Sequence, residues 1–145
     1  MTTPMTAREI VAEARDAERK GATMGSIRKI LVVDDSATER HMLNDLLTKA
    51  GYDVVASDSA EDAIAKARQV KPDLILMDVV MPGLNGFQAT RAISRDPDTK
   101  SIPIIMCTSK SQETDRIWGL RQGARDYVVK PVDRDALLAK IAALG

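Results

Sequence analysis

The sequence predicts a three-layer, doubly wound α/β domain, and three observations carry that prediction. Short apolar runs begin near Ile30, Val54, Leu74, Ile104 and Tyr127, and amphipathic stretches separate them. Two of the runs, Ile30, Leu31, Val32, Val33 and Leu74, Ile75, Leu76, Met77, are apolar at every position instead of alternating. Strands covered by helices on both faces need that continuous pattern, which implies a parallel sheet. Five strands alternating with five helices through short loops then give the doubly wound arrangement.

The helical stretches carry start and stop signals in order. Ser36 and Glu39 form a capping-box pattern, Leu43, Leu46, Leu47 and Ala50 recur at helical spacing, and Gly51 supplies the stop. Ser59 caps a second helix that turns Ala60, Ala63, Ile64 and Ala67 inward and ends before Pro72. The third spans residues 86–95, the fourth 114–122 with Gly123 as its stop, and the fifth 133–144. Residues 1–27 differ in kind. They are rich in Ala, Arg and Glu, with a capping-box pattern from Thr6 to Glu9 and a weak apolar stripe of Ala7, Ile10, Val11, Ala14 and Ala17. They read as a short helical extension and linker, with the folded domain occupying 28–145. Met24 would itself serve as a start; the rival reading is a docking or self-association helix.

A chain of 145 residues, 44% hydrophobic, suits one compact domain. Lys plus Arg and Asp plus Glu both total 21, and no basic run interleaves with aromatics, so nucleic-acid binding is not expected. Cys107 is the only cysteine and His41 the only histidine, which excludes an intrachain disulfide and disfavours thiol or imidazole metal sites. No apolar run approaches the roughly 20 residues of a membrane span, so the expectation is a cytoplasmic protein without membrane insertion.

The chemistry gathers at the carboxyl ends of the predicted strands, where open α/β sheets bind ligands. The first strand runs into Asp34 and Asp35 and the third into Asp78. Each acid alone could cap a helix. Three together, at the end of an apolar sheet, repel one another and are costly to desolvate, so a bound cation is the economical answer. Oxygen ligation with few carboxylates suits Mg²⁺, which also favours phosphate oxygens. Thr108 and Lys130 end the fourth and fifth strands on the same edge. Singly they read as a β-favouring residue and a salt-bridge partner. Together with the acids they have a chemical use: Asp78 attacks phosphorus, Lys130 and the cation neutralise phosphoryl oxygens, and the Thr108 hydroxyl hydrogen-bonds one of them.

The order Asp34, Asp35, Asp78, Thr108, Lys130, Pro131, with Met81, Pro82, Gly83 and Gly86 after the central acid, resembles the CheY-like receiver domain of response regulators over residues 28–145. The resemblance implies a flavodoxin-like sheet of strand order 2-1-3-4-5. It implies Mg²⁺ held directly by Asp35, Asp78 and the Val80 carbonyl, with Asp34 acting through water. It further implies a cis Lys130–Pro131 peptide, phosphorylation of Asp78 by a histidine kinase of the chemotaxis type, and a switch built from Thr108 and Tyr127 that alters the face of helix four, strand five and helix five. The stretch from Cys107 to Ala124, with Trp118, is similar to PilH-type regulators of type IV pilus twitching motility; general chemotaxis regulators are the nearest alternative. Only 15 residues follow Lys130, so output is expected through contact with an unknown protein target, or through drawing phosphoryl groups from another regulator as a phosphate sink.

Two enzyme-like or ligand-binding readings share the fold logic. A phosphatase of the haloacid-dehalogenase kind needs a second acid two residues after the nucleophile, where Val80 stands, and a nucleotide binder needs a glycine-rich loop after the first strand, where Asp34, Asp35 and Ser36 stand. Autophosphorylation and dephosphorylation are therefore the only catalysis expected. Val80 and Lys110 flank the site where water would attack, and Val80 offers that water no hydrogen bond, so the phosphorylated form is expected to be long-lived unless Lys110 bends over the site. Trp118 reads equally as packing or as an interface anchor. Arg116 and Arg121 read as a solvated helix face.

Overall fold

The computed structural model describes residues 6–8, 27–109 and 113–144. Of the extension expected over residues 1–27, the described residues are Thr6, Ala7 and Arg8, the last two helical, and Ile27, which is buried; the rest lies outside the described residues, as does Lys110. Five strands, β1 (Lys29–Val33), β2 (Asp53–Ser57), β3 (Leu74–Asp78), β4 (Ile104–Thr108) and β5 (Asp126–Val129), alternate with α1 (Ala37–Lys49), α2 (Ala60–Val70), α3 (Gly86–Arg95), α4 (Glu113–Arg121) and α5 (Arg134–Leu144). All pairings are parallel, in the order β2-β1-β3-β4-β5. This is the flavodoxin-like arrangement, with its switch point between β1 and β3.

The two-residue period of the strands splits the core into two layers. Leu31, Val33, Ile75, Met77, Ile104 and Met106 point to one face, where Ala60, Ala63 and Ala67 of α2 and Ala89 and Ile93 of α3 cover them. Ile30, Val32, Leu74, Leu76, Ile105 and Cys107 point to the other, under Leu43 and Leu47 of α1 and Leu137 and Ile141 of α5. Burial on both faces explains why β1 and β3 read as unbroken apolar runs.

The caps fix the loops that carry the chemistry. The Ser36 side chain accepts from the Glu39 amide at 3.3 Å, but the Ser36 amide donates to Asp34 Oδ1 at 2.9 Å, so only half of the expected capping box forms. Asp34 takes the place that Glu39 would have filled. Ser59 accepts from the Asp62 amide at 3.1 Å, and Asn85 forms a full capping box with Gln88. α2 ends at Lys71, whose φ of 49° places a non-glycine residue in the left-handed region just before Pro72. At the start of α3, Gly86 is buried against the end of β3: its amide donates to the Val79 carbonyl at 2.9 Å. A Cβ there would strike the Asp78 carbonyl.

That contact reverses the usual preference for alanine over glycine in a helix. Gly86→Ala is expected to destabilise the fold by about 1–3 kcal/mol through overpacking, measured as a lower urea midpoint at unchanged m-value; an equal or raised midpoint would refute the close approach.

Candidate functional site

Asp34 follows β1 and is pulled toward β2 by its amide, which donates to the Ser57 carbonyl at 3.1 Å. It is 1% exposed, and its polar atoms are engaged: Oδ1 accepts from Ser36, Oδ2 from Lys130 Nζ at 2.8 Å, and the carbonyl from Arg40 Nη1 at 2.7 Å. Asp35, the next residue, is exposed. Asp78, the last residue of β3, is 6% exposed, and its Oδ1 accepts from Lys130 Nζ at 3.1 Å. One carboxylate oxygen from each of the three acids falls within 4.8 Å of the others.

Lys130 reaches this group from a chain held to β4, the Lys130 amide donating to the Thr108 carbonyl at 2.7 Å; the Lys130–Pro131 peptide is cis, as expected. Thr108 closes β4, 4% exposed, in register with Val129. Val80 projects outward, 60% exposed, between the buried Val79 and Met81. The structure therefore brings Asp34, Asp35, Asp78 and Lys130 into one cluster, with Thr108 and Val80 on adjoining strand and loop ends.

The electrostatics of the cluster follow from burial. Desolvation is the largest influence on Asp78; Lys130 works against it, Asp34 and Asp35 with it, and the carboxyl is pushed up to about 6. For Lys130, burial disfavours the charge, but the hydrogen bonds it donates to Asp34 and Asp78, with the negative charge of both, outweigh it and hold the ammonium above the ordinary lysine range. Cys107, beneath the site, is driven up to about 12, chiefly by burial, and stays a neutral thiol. Three carboxylates against one ammonium leave negative charge in excess, and the donors are all hard oxygens. This set fits a divalent cation of the magnesium type.

The other expected site residue, Tyr127, is half-buried in β5, and the Arg116 guanidinium carbon lies 5.9 Å from its ring centroid. Arg116 thus departs from the solvated face expected of it, whereas Arg121 is exposed. A void of about 10 Å³ lies between α4 and the sheet, with Thr108, Tyr127, Met106 and Gly119 in its wall. Trp118 is 51% exposed, so of its two readings packing is the weaker. Sequence reasoning passed over Arg40, whose grip on the Asp34 carbonyl had one available signal: a cation in the second turn of a helix that follows an acidic strand end. It also passed over Ser57, whose contact with Asp34 has no local signal.

The receiver-domain model of response regulators matches residues 30–142 of this chain. The chain belongs to the response regulator receiver family. Among curated receivers, Protein PilH of Pseudomonas aeruginosa is 55% identical over 116 residues, spanning 80% of this chain and 96% of PilH. Among solved receivers, the chemotaxis protein CheY4 of Vibrio cholerae superposes with a TM-score of 0.78 at 33% identity, covering 82% of this chain and 99% of CheY4. The receiver domain of the sensor histidine kinase PA1611 of P. aeruginosa, whose structure has a magnesium ion coordinated in the active-site cleft, gives 0.75 at 31% identity over 81% of this chain and 96% of that one.

Folding takes Asp78 from 3.8, the ordinary aspartate value, to about 6, so the folded state binds the proton more tightly. The penalty of the ionised form is absent below pH 4 and complete above pH 6, and stability falls as pH rises through that window. In chelator at pH 7.5, Asp78→Asn is expected to be more stable than wild type by on the order of 1–2 kcal/mol, with the gap closing below pH 4. Equal thermal midpoints at pH 7.5 would contradict the burial argument.

Proposed function

We propose that this chain is a single-domain response regulator in which Asp78 accepts a phosphoryl group from the phosphohistidine of a chemotaxis-type histidine kinase. The observation that carries the reading is Lys130 Nζ spanning Asp34 and Asp78, 2.8 and 3.1 Å away. An Asp78 carboxylate oxygen bonds to phosphorus as the bond from phosphorus to the imidazole nitrogen breaks, and the electron pair returns to the imidazole. Lys130 then sits beside the added phosphoryl oxygens, and the Thr108 hydroxyl donates to one of them. Asp35, Asp78 and the Val80 carbonyl would hold Mg²⁺ directly, with Asp34, both of whose oxygens already accept hydrogen bonds, acting through water. Bound there, the ion supplies positive charge that keeps Asp78 ionised and offsets the charge of the phosphoryl group.

Output is read as a change in the face of α4, β5 and α5, driven by Thr108 moving to the phosphoryl group and Tyr127 turning inward. The exposed Ile117, Trp118 and Leu120 of α4 and Val129 of β5 support that face as the contact surface. The partner is a protein, in a cytoplasmic pathway controlling pilus-based or chemotaxis-like motility. The likeness to PilH over 96% of its length supports the pathway, and no helix among the described residues is long and apolar enough to cross a membrane.

Incubation with acetyl phosphate and Mg²⁺ should add one phosphoryl mass to the wild type and none to Asp78→Ala by intact mass spectrometry; an unmodified wild type would overturn the assignment. Because Val80 is 60% exposed and cannot orient a water, the phosphorylated protein should persist for minutes or longer after removal of the donor. Val80→Asn should shorten that lifetime, and decay of the wild type within seconds would count against the role given to Val80.

A further inference from the structure

The first turn of α2 touches both loops that carry the acids. At its start, Ser57 joins β2 to the turn through one hydroxyl proton with two acceptors in reach, Asp62 Oδ2 at 2.8 Å and the Ser59 carbonyl at 3.0 Å, while the Ser57 carbonyl holds the Asp34 amide. One residue before Asp62, the Glu61 side chain reaches the other way: its Oε1 accepts from the Leu84 amide at 3.3 Å, across to the loop between β3 and α3. The same oxygen would lie 3.1 Å from a Cβ on Gly83, which has a φ of 76° and so turns its backbone flush against the carboxylate.

That loop leaves β3 at Asp78 and re-enters helix at Gly86. Its ends are fixed, Val79 donating to the Cys107 carbonyl at 3.2 Å and Gly86 to the Val79 carbonyl at 2.9 Å, and Asn85 belongs to the cap of α3. Between them, Met81 is buried and the half-buried Leu84 packs against the core, whereas Val80, Pro82 and Gly83 face solvent, so side-chain packing holds this stretch at Met81 and Leu84 only. Among the described residues, Glu61 is the side chain outside α3 that hydrogen-bonds the backbone of this stretch.

We propose that Glu61 is a positioning residue for the divalent-cation site: its carboxylate holds the Leu84 amide against the first turn of α2 and so fixes the loop that presents the Val80 carbonyl beside Asp78. The inference rests on the cation reading above and adds a residue to it. Glu61 is exposed and contributes little to the core, so its removal should loosen the loop without unfolding the chain.

The test measures Mg²⁺ binding by titration calorimetry and, in metal-free protein, hydrogen exchange of the Leu84 amide, for wild type, Glu61→Ala and Glu61→Gln. Glu61→Ala is expected to weaken Mg²⁺ about three- to tenfold, the worth of one hydrogen bond, and to speed Leu84 exchange, with Glu61→Gln restoring both because it keeps an acceptor oxygen. Unchanged Leu84 exchange in Glu61→Ala overturns the proposal, as does equal weakening by Gln and Ala, which would make Glu61 a long-range charge. Failure of the wild type itself to bind Mg²⁺ sinks the cation reading and this role with it, and only in that case do all three proteins fail alike.

Discussion

The Lys130 ammonium between Asp34 and Asp78 is the contact on which the arrangement of the site depends. It joins the ends of β1, β3 and β5, which are not all neighbours in the sheet: β4 lies between β3 and β5, and the lysine crosses over its end. A side chain long enough to cross one strand spacing meets carboxylates that the sheet brings together at its carboxyl edge. Removing the ammonium would leave two nearly buried carboxylates facing each other, the costliest way to break such a group.

The same contact leaves the site electrostatically incomplete. Lys130 is held charged by the acids, yet one ammonium does not offset the burial of Asp78 and the nearby Asp34, so that carboxyl remains hard to ionise. Stability and chemistry pull in opposite directions here. A sheet edge optimised for stability would not place three carboxylates within reach of one another. On the proposed reading, that imbalance is what makes the edge receptive first to a divalent ion and then to a phosphoryl group.

Much of this was legible in the sequence because it is local or repetitive. Every strand falls within a residue of the start of its apolar run, and Ser36, Ser59, Gly51 and Gly123 mark helix ends by rules that need only a few neighbours. Asp34, Asp35, Asp78, Thr108 and Lys130 were visible because strand ends in a parallel sheet share one edge, so topology alone gathers them. What remained hidden depends on side chains meeting across elements. The Asp34 carboxylate displaces Glu39 from the capping box because it lies two residues before Ser36 and is locked from the other side by Lys130. Arg116 folds over Tyr127, a contact that helical periodicity on α4 cannot reveal. Ser57 and Glu61 reach the acid-bearing loops over 23 residues each.

These hidden contacts share a direction. The Ser57 carbonyl, Arg40 and Glu61 all bond backbone groups of the acidic loops, leaving their cluster of carboxylate oxygens to Lys130 and the Ser36 amide. Holding a loop by its backbone fixes where its carboxylates and carbonyls point without consuming the oxygens that a cation would use. A scaffold that tied up the Asp35 and Asp78 oxygens as Ser36 and Lys130 tie up those of Asp34 would, on the proposed reading, have to break those bonds whenever an ion or a phosphoryl group arrived. The division of labour therefore separates two demands on the same loops: backbone contacts supply rigidity, and Lys130 alone links two of the acids while its flexible stem lets it follow a change of charge between them.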